Sequence, residues 1–590
     1  MSNIKTFSDA STHSLEWLRD TIKSDYEIAH QRRMDMVSAC NMTSRWFKLP
    51  LSMVQADTGV LRRHFNNLHH LHAGVSKQRI SNVRSLLLAA MREVGLSTSP
   101  ARSKLSLPWG ALYDQIDNRY QRSALSRFMH YCSNNNIVPE AVSSLIANNY
   151  REALEAESLI PQPRTNHQTV CRVWNQCADT IEGWPKVRLL VPRYDDRLYS
   201  IGDELIDPAL RTDIENYINY LSGKDLFNGV ARPFRPQSIK AVRGHIRRYL
   251  SALHHSGLDV SALVSLEEMA AFDTFKRAML WFWQRNGHKT SSSIGEVAWT
   301  MRCIAVRHLK CDEKSKASYA EALARLRVRK KGLSSKNRAA LQQFDDQNVV
   351  RRFLALPDLL WRLAKKQQGK KAQLLIQSAI AVEILTLAPL RIDNLATLRL
   401  DRHLAWIEDR LHINLPAAEV KNSADLHYVL PRSTTERIGI YIDKWRCLFL
   451  PDANPYLFPG HNNKPKDLSA LRRQITRTLF VHTGIRLTPH QFRHVAAKLL
   501  LDARPGHYEV VRKVLGHKRL STTYEHYAGA ETQAAVELYD DVILDLKRGG
   551  DGSTSNHRNR HSATPSRQLS SKDELPFLDP LNLFGKGGGA

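Results

Sequence analysis

The stretch LTPHQFRHVAAKLLLDARPGHYEVVRKVLGHKRLSTTYEHYAGAE, residues 487–531, decides how the C-terminal half of this chain is interpreted. Thr488, Pro489 and Gln491 predict a helix start: the threonine is the N-cap, the proline occupies the first helical position, and the glutamine completes a capping box. Residues 508–515 predict a second, short helix that stops at a glycine. The stretch is therefore expected to be helical with tight turns.

Side chains suited to phosphate chemistry recur at the ends of these helices. His490 and Arg493 are three residues apart and are expected on one helix face. His517 follows the stop at Gly516, so we expect it at a loop edge rather than in a core. Tyr527 comes ten residues after His517.

These residue types in this order favour attack on a phosphodiester. An arginine can grip two non-bridging phosphate oxygens, and a histidine can donate to the same phosphate or relay a proton. A tyrosine hydroxyl, with a pKa of about 10, needs cationic neighbours to stabilise the developing phenolate and the pentavalent phosphorane. Each motif alone has an ordinary structural explanation. An HxxR motif usually lies on a solvated helix face, a Leu-Gly-His triplet usually marks a helix end, and a tyrosine at such a spacing is usually a half-buried core residue.

With these motifs the chain resembles the tyrosine recombinases, the phage integrase family, over roughly residues 340–548. That family uses an Arg at a helix end, a sheet-borne Lys, His-x-x-Arg, a His or Trp, and a Tyr. In LAPLRIDNLATLRL the first position corresponds to Arg391, and Asn394 begins the polar-Leu-x-x-Leu pattern that follows it. Pro389 departs from the family, which commonly has a small residue there, so the approach of this helix end is expected to differ.

The period of the sequence changes between Arg391 and the HxxR motif. Three short strands are predicted, at His403 to Ile407, Leu411 to Leu415 and Leu426 to Leu430. Lys421 lies in the second hairpin, where the resemblance implies the lysine that protonates the leaving 5′ oxygen; the residues alone indicate a solvated charge in a polar turn. Helices are predicted from Ser433 to Leu448, opening on a Ser433/Glu436 capping box, and from Leu468 to Thr483, stopped by Gly484.

Two tyrosines are candidates for the nucleophile. Tyr524 follows His517 by seven residues and Tyr527 by ten. The family spacing is nine or ten, and a Thr-Thr pair followed by Tyr-Ala-Gly is a recurrent form of the motif, so the resemblance assigns Tyr527. His526 and His494 are interpreted as packing or supporting groups, although His494 could orient a neighbouring side chain.

Composition agrees with a nucleic-acid partner. Lys+Arg 85 against Asp+Glu 58 gives a formal charge of +27, which suits a phosphate-binding surface but is shared by proteins that bind RNA or acidic partners. A length of 590 residues that are 42% hydrophobic predicts three to four domains. Seven cysteines without a CxxC pair indicate a reducing cytosol, with no disulfide framework and no zinc. Without an apolar run near 18 residues or a signal peptide, a soluble protein that does not enter membranes is expected.

The N-terminal half predicts helices without a catalytic motif. The clearest helix, Gln237 to His255, has an apolar stripe and an opposite basic face formed by Lys240, Arg243, Arg247 and Arg248. This face could lie along a DNA backbone or be an ordinary solvated surface. The other helix candidates are residues 80–94, 112–134, 138–157, 165–181, 207–221, 266–286 and 292–309, with a break at 105–109.

The predicted fold class is mainly α: helical N-terminal DNA-binding modules precede an α+β catalytic domain with a small antiparallel sheet. The boundaries follow from the shifts in pattern. They are an N-terminal helical module at 1–190, a core-binding DNA clamp at 191–324, a basic linker at 325–338, a catalytic domain at 339–548 and a disordered tail at 549–590. The linker supplies Arg327, Arg329, Lys330 and Lys331 as candidate phosphate contacts.

The resemblance implies a site-specific DNA recombinase or integrase, encoded by a mobile element and acting in the bacterial cytoplasm at the nucleoid. Tyr527 would attack, Arg391 and Arg493 would clamp the phosphate, His490 and His517 would assist, and Lys421 would be the general acid, without metal or other cofactor. The expected partner is double-stranded DNA with specific recombination sites, bound by a tetramer on two duplexes or by a hetero-assembly with other recombinases. A topoisomerase-like enzyme that relaxes one duplex and a non-catalytic DNA-binding protein of the same fold are the alternatives.

Overall fold

The computed structural model describes residues 13–96, 104–194, 199–223, 229–328, 332–449, 454–527 and 532–549. It divides into two compact units, one up to Val495 and one from Ala496. Helices dominate both units, and a single three-stranded antiparallel sheet lies in the first, among the residues that are described. The predicted fold class is therefore confirmed.

The first 189 residues form two hydrophobic clusters where one module was predicted. One cluster gathers residues 15–96 with Leu159, and the other gathers residues 105–189 around Trp109 and Trp174. Arg62 joins them by donating to the carbonyl oxygens of Glu155 and Ser158, both at 2.6 Å. The helices are α1 Leu15–Ser24, α2 His30–Phe47, α3 Thr58–Asn67, α4 Lys77–Glu93, α5 Leu107–Asp114, α6 Arg119–Asn134, α7 Ser144–Glu157 and α8 Pro163–Thr180.

A histidine-rich turn after α3 packs against a helix end far along the chain. The ring of His69 lies 4.9 Å from that of Phe480, and Arg486 donates to the carbonyl of Asn66 at 3.1 Å. Gly484 has a φ of +77°, and a Cβ there would lie 2.8 Å from ring nitrogens of both His69 and His72. Only glycine fits this position, because both the backbone conformation and the close approach exclude a side chain.

A third cluster occupies residues 201–326 and contains the predicted basic helix. Tyr249 and Tyr319 anchor it, donating to the carbonyls of Met269 at 2.9 Å and Ala270 at 2.7 Å. Its helices are α9 Pro208–Ser222, α10 Pro236–His255, α11 Leu266–Met269, α12 Phe272–Arg285, α13 Ser292–Arg302, which continues as a π-helical turn at Cys303–His308, and α14 Glu313–Leu326.

The remainder of the first unit is built around a helix that is buried almost all round. This helix, α18, has Ile376 to Leu385 continuously buried, as its apolar sequence predicts. Helix α18 spans Gly369–Leu387. The other helices of this region are α15 Ser335–Gln342, α16 Gln347–Leu354, α17 Leu356–Ala364, α19 Ile392–Ala396, α20 Arg432–Ile440 with a π-helical turn at Tyr441–Arg446, α21 Leu468–Thr483 and α22 Gln491–Ala503, which runs into the second unit.

The sheet confirms the three predicted strands to within one residue at each end. The strands are β1 Leu404–Ile407, β2 Arg410–Leu415 and β3 Leu426–Val429, in the order β1-β2-β3. Leu404 pairs with Ile413, and Ile413 pairs with Tyr428, so the centre of the sheet is fixed by apolar and aromatic neighbours.

Two local predictions were wrong, and one region was left without a prediction. The helix expected to open on a Ser433/Glu436 capping box begins at Arg432 with Pro431 as N-cap, because proline's fixed φ already suits a helix start. The break expected at 105–109 falls instead between α5 and α6, since a proline in the first turn is compatible with a helix. The three helices of residues 15–67 were not predicted.

The second unit adds α23 Tyr508–Leu515, α24 Leu520–Tyr527 and α25 Thr532–Gly549 to the end of α22. Gly516 ends α23 in the left-handed conformation, as predicted. Across the ranges described above, no helix is both long enough and apolar enough to cross a membrane.

Candidate active site

Arg391 lies at the end of the buried helix α18 and is the N-cap residue of α19. Its Nη1 atom is shielded from solvent and has no hydrogen-bond partner among the described residues. Burial lowers the pKa of the guanidinium, against the opposing influence of Tyr428 and Asp393. A shielded guanidinium donor without an acceptor is costly unless an anion binds there.

Arg493 is the second arginine of the cluster and lies in the first turn of α22. It is 3% exposed, and its Nη1 donates to the carbonyl oxygen of Pro389 at 2.6 Å. Pro389 precedes Arg391 by two residues, so the departure from the family pattern lies at a direct contact between the two arginine segments. The contact fixes the orientation of Arg493 relative to the chain that carries Arg391.

Tyr428 on β3 also belongs to this cluster. Burial raises the pKa of its phenol, while the charges of Arg493 and Arg391 act in the opposite direction. The sequence argument did not single out Tyr428. A signal was present, because the pleat of β3 places Leu426 and Tyr428 on the same face of the strand, yet nothing in the sequence indicates that this face meets two arginines.

His490 lies in the turn that leads into α22 and reaches solvent. Partial desolvation lowers the pKa of its ring, and the charges of Arg493, Arg391, Lys421 and Arg472 lower the pKa further. Coulombic effects of this kind require proximity. Three of the predicted cations therefore lie near the ring, together with Arg472 of α21, which was not predicted. The lowered pKa favours the neutral form of His490.

The start of α22 differs slightly from the prediction. Regular helix begins at Gln491 rather than at Pro489, and half of the expected capping box is present: the backbone N–H of Thr488 donates to Gln491 Oε1 at 2.8 Å. The Thr488 hydroxyl also donates to Gln491 Oε1, at 3.0 Å, and the Gln491 N–H donates to the Thr488 carbonyl at 2.9 Å instead of to the hydroxyl. The amide of Gln491 in turn donates to Asn337 Oδ1 at 3.1 Å, and Asn337 Nδ2 lies 3.2 Å from His494 Nε2. Asn337 thus links α15 to the helix of the HxxR motif.

Lys421 lies in the turn between β2 and β3, as predicted, and is exposed. Glu419 fixes the chain just before the turn, because its carboxylate lies 2.6 Å from Arg402 and 3.0 Å from His403. The backbone carbonyl of Glu419 accepts from Asn394 Nδ2 at 3.2 Å. Asn394, which begins the polar-Leu-x-x-Leu pattern, therefore connects the Arg391 segment to the Lys421 turn.

His517 and Tyr527 both lie in the second unit, His517 in the turn before α24 and Tyr527 at the last residue of that helix. His517 Nδ1 is 3.0 Å from the hydroxyl of Thr523, and the backbone carbonyl of His517 accepts from Arg512 at 3.0 Å. Thr523 and Tyr527 are four residues apart on α24 and so share a face of that helix. Both are buried, Tyr527 to 2% exposure.

The competing tyrosine occupies a different environment. Tyr524 is 46% exposed and stacks on Tyr508 with ring centroids 4.2 Å apart. His526 lies beside Tyr527, with ring centroids 6.2 Å apart. Of the two tyrosines, Tyr527 is the one on the helix face that contacts His517 through Thr523.

The predicted DNA-binding residues of α10 have partners within their own region. Arg243 donates to both carboxylate oxygens of Glu215, Arg247 pairs with Asp203, and Arg248 donates to the carbonyl of Ser293 at 2.9 Å. Lys240 is exposed. In the linker Arg327 is exposed, whereas Arg329, Lys330 and Lys331 lie outside the described residues.

No group of three or more His, Cys, Asp or Glu side chains suited to a metal ion occurs in the described parts of the chain. The charged groups that shift the pKa of His490 are all cations: Arg493, Arg391, Lys421 and Arg472. Such an arrangement binds a phosphate and stabilises added negative charge.

This chemistry is that of the tyrosine-type DNA strand transferases, and the sequence comparison agrees. Residues 358–534 match the profile of the phage integrase family. Over this range the chain matches the phage integrase family, the tyrosine recombinases. The matched range includes every predicted catalytic residue from Arg391 to Tyr527.

Solved structures similar to this chain include XerA recombinase, at 17% identity and a TM-score of 0.25, covering 56% of this chain and 98% of that one. Another is XerH site-specific recombinase bound to palindromic difH substrate, at 14% identity and a TM-score of 0.32, covering 57% and 98%. A third is the Tn1549 transposon integrase, residues 82–397, in complex with circular intermediate DNA, at 15% identity and a TM-score of 0.32, covering 52% and 94%. No curated protein matches the chain.

Proposed function

We propose that the protein is a site-specific recombinase or integrase that cuts and rejoins DNA through a 3′-phosphotyrosyl link and is encoded by a mobile element. The observation that carries the proposal is the shielded Nη1 of Arg391, a donor without an acceptor, in a cluster with the buried Arg493. A protein gains nothing in stability from this arrangement, whereas a bound phosphate satisfies it.

The reaction divides among the six predicted residues. The hydroxyl of Tyr527 attacks the scissile phosphorus; a bond forms between phosphorus and the tyrosine oxygen, and the bond to the 5′ oxygen breaks. Arg391 and Arg493 hold the non-bridging oxygens, whose charge grows in the transition state. His490 and His517 assist at the same phosphate, one of them accepting the proton that the Tyr527 hydroxyl loses, and Lys421 gives its proton to the 5′ oxygen.

Rejoining is the reverse reaction on a second strand. The free 5′ hydroxyl of the partner strand attacks the phosphotyrosyl ester, the tyrosine oxygen leaves, and Lys421 recovers a proton from the attacking hydroxyl. The ester conserves the energy of the broken bond, so rejoining needs no nucleotide. Exchange between duplexes further requires an assembly on two DNA sites, which we propose to be a homotetramer or a hetero-assembly with related recombinases.

The helical regions ahead of the catalytic domain are proposed to hold the duplex. Their boundaries are proposed at 1–190, 191–324 and the linker at 325–338. Support comes from the separate core of residues 201–326 and from the exposed cations Lys240 and Arg327. The ion-paired arginines of α10 can exchange carboxylate partners for phosphates, because surface ion pairs contribute only about 0–1 kcal/mol.

The test is covalent trapping on a duplex nicked beside the cleavage site, so that the short leaving fragment diffuses away. Wild type and Tyr524→Phe should both form a protein-DNA adduct that survives denaturing electrophoresis. Tyr527→Phe should form none while binding the duplex nearly as tightly, since one hydroxyl and no charge is removed. An adduct formed by Tyr527→Phe but not by Tyr524→Phe would reverse the assignment of the nucleophile, and no adduct with wild type on its own DNA sites would refute the proposed function.

A further inference from the structure

The turn that carries Lys421 is contacted by a residue from a distant part of the chain. Arg235, the N-cap residue of α10, donates from Nη1 to the carbonyl oxygen of Val420 at 3.1 Å and from Nη2 to the hydroxyl of Ser423 at 3.4 Å. One guanidinium fork therefore spans Lys421 from both sides. The fork comes from the helical region of residues 201–326, not from the catalytic domain.

The turn needs this support because of its backbone. Ser423 has a φ of +48°, a left-handed conformation that is uncommon for a residue other than glycine and persists when the surroundings determine it. Within the turn the Ser423 N–H donates to the Val420 carbonyl at 2.9 Å. Arg235 therefore donates to the same carbonyl that closes the turn and to the side chain of the strained residue.

The side chain of Lys421 is otherwise lightly held. It is exposed, and it forms no ion pair among the described residues. The contacts made by Glu419 fix the chain on one side of Lys421, two residues earlier. On the other side Asp425 accepts from the backbone N–H of Ala417 at 2.7 Å, and Arg235 donates to Ser423, the residue in the left-handed conformation. A proton donor must come within hydrogen-bond distance of the group that it protonates.

We propose that Arg235 is a positioning residue for the general acid, and that it makes proton delivery by Lys421 depend on the helical region 201–326 being in place beside the catalytic domain. The inference rests on the proposed function and deepens it. In the step concerned, the bond between phosphorus and the 5′ oxygen breaks, the bond between phosphorus and the Tyr527 oxygen forms, the tyrosine proton passes to a histidine of the site, and the Lys421 ammonium gives one proton to the departing oxygen. Arg235 takes no part in bond making and acts only through the turn.

The experiment separates proton delivery from every other contribution by changing the leaving atom. Cleavage is measured in single turnover, with protein saturating, on two nicked duplexes that differ only in carrying oxygen or sulfur at the 5′ bridging position of the scissile phosphate. A leaving thiolate, whose conjugate thiol has a pKa of about 8.5, departs without a proton. Lys421→Ala should therefore slow the oxygen substrate by about a hundredfold and leave the sulfur substrate near the wild-type rate.

Arg235→Ala should show the same pattern with a smaller effect. Cleavage of the oxygen substrate should slow by roughly tenfold, because the proton donor is misplaced, and cleavage of the sulfur substrate should stay near the wild-type rate. Arg235→Lys, which keeps the charge but loses the fork, should remain slow on oxygen. The double variant Arg235→Ala/Lys421→Ala should be no slower than Lys421→Ala, because both act on one step. Ser423→Ala removes the far acceptor and should show the same selective defect, weaker than that of Arg235→Ala.

Arg232→Ala is the matched control, because it removes an exposed cation three residues away; both substrates should then react near the wild-type rate. Arg235→Ala slowing the two substrates alike, or behaving like Arg232→Ala, would overturn the positioning role. Wild type that forms no adduct on either substrate would instead refute the proposed function. A fold defect in Arg235→Ala would appear as a lowered melting temperature, and Ser423→Ala then decides the question.

Discussion

Two groups of arginines, one on helix α10 and one at the end of helix α18, show how differently the same side chain is used in this chain. On α10, Arg243 and Arg247 pair with the carboxylates of Glu215 and Asp203 in their own region. At the end of α18, Arg391 keeps a shielded Nη1 without an acceptor. Formal charge does not distinguish the two groups, but local pairing does.

The difference has an energetic meaning. An exposed ion pair contributes about 0–1 kcal/mol, so its arginine can exchange a carboxylate for a phosphate at little cost. A shielded donor without a partner costs about 1–3 kcal/mol, and more when it belongs to a charged group. The Arg391 site therefore carries a penalty that an anion removes, whereas Arg243 and Arg247 of α10 already have carboxylate partners without DNA. Strong catalytic effects are expected at the first and modest binding effects at the second.

The largest expected effect comes from removing the unpartnered arginine. Arg391→Ala should lower single-turnover cleavage by about a thousandfold, at the upper end of what one preorganised donor contributes, with a small loss of binding. Arg243→Ala, which removes an arginine that is already paired, should cleave near the wild-type rate once bound. Equal cleavage defects in the two variants would break the distinction between the groups.

A finer test keeps the charge and changes only the geometry. Arg493→Lys should lower cleavage by roughly a hundredfold, about 3 kcal/mol, because the lysine cannot provide the bidentate fork. The melting temperature should change little. Arg247→Lys on α10 is the control and should leave cleavage unchanged. If Arg493 acts only as the structural partner of the Pro389 carbonyl, the melting temperature should fall while cleavage per folded molecule stays near wild type.

The contrast between these arginines also marks the limit of sequence reasoning. Arg391, Lys421, His490 and Arg493 were predicted as site residues, and the charges of the three cations lower the pKa of His490, which indicates that they lie near its ring. Tyr428 and Arg472 were missed, since strand pleat and helix register say which residues share a face but not what that face meets. The pairing of Arg243 with Glu215 was also beyond prediction, because the two lie on helices whose packing only the tertiary structure defines.

The basic residues of α10 are expected to contribute differently to the salt dependence of DNA binding. Lys240 is exposed, so if it binds a phosphate, Lys240→Ala should shallow the slope of log affinity against log salt by about 0.9. Arg243→Ala should change the slope less, because DNA must first displace Glu215. Binding titrations across a range of salt concentrations on one duplex provide the measurement, and a larger change for Arg243 than for Lys240 would mean that the ion pair opens freely.

The smallest expected effect concerns a histidine that is buried without a role in the proposed chemistry. Burial lowers the pKa of His69 to about 4, and His70, His72 and Lys77 lower it too, while a hydrogen bond with the Val481 backbone opposes the shift. The unfolded value is about 6.5, so the neutral ring supports the contact with Phe480 above pH 6.5, and this support is lost as the pH falls toward 4.

Hydrogen exchange at residues 66–72 should therefore quicken between pH 7 and pH 5, after correction for the intrinsic rate. His69→Phe removes the titrating group while keeping a ring against Phe480, and it should flatten this dependence. His461→Gln, which changes an exposed histidine elsewhere, should behave as wild type. Exchange that quickens equally in wild type and His69→Phe would assign the pH dependence to another group, of which His72 beside Arg352 and Arg486 is the next candidate.

Helix α14 ends at Leu326 and α15 begins at Ser335, which sets a covalent tether between the helical half and the catalytic domain. Nine Cα steps, at no more than about 3.5 Å each, give a reach of roughly 30 Å. If the two halves separate around a duplex as proposed, these two helix ends stay within that reach. Asn337, in the helix at the end of this connection, hydrogen-bonds Gln491 and contacts His494. A force transmitted along the connection would therefore reach the helix that carries Arg493.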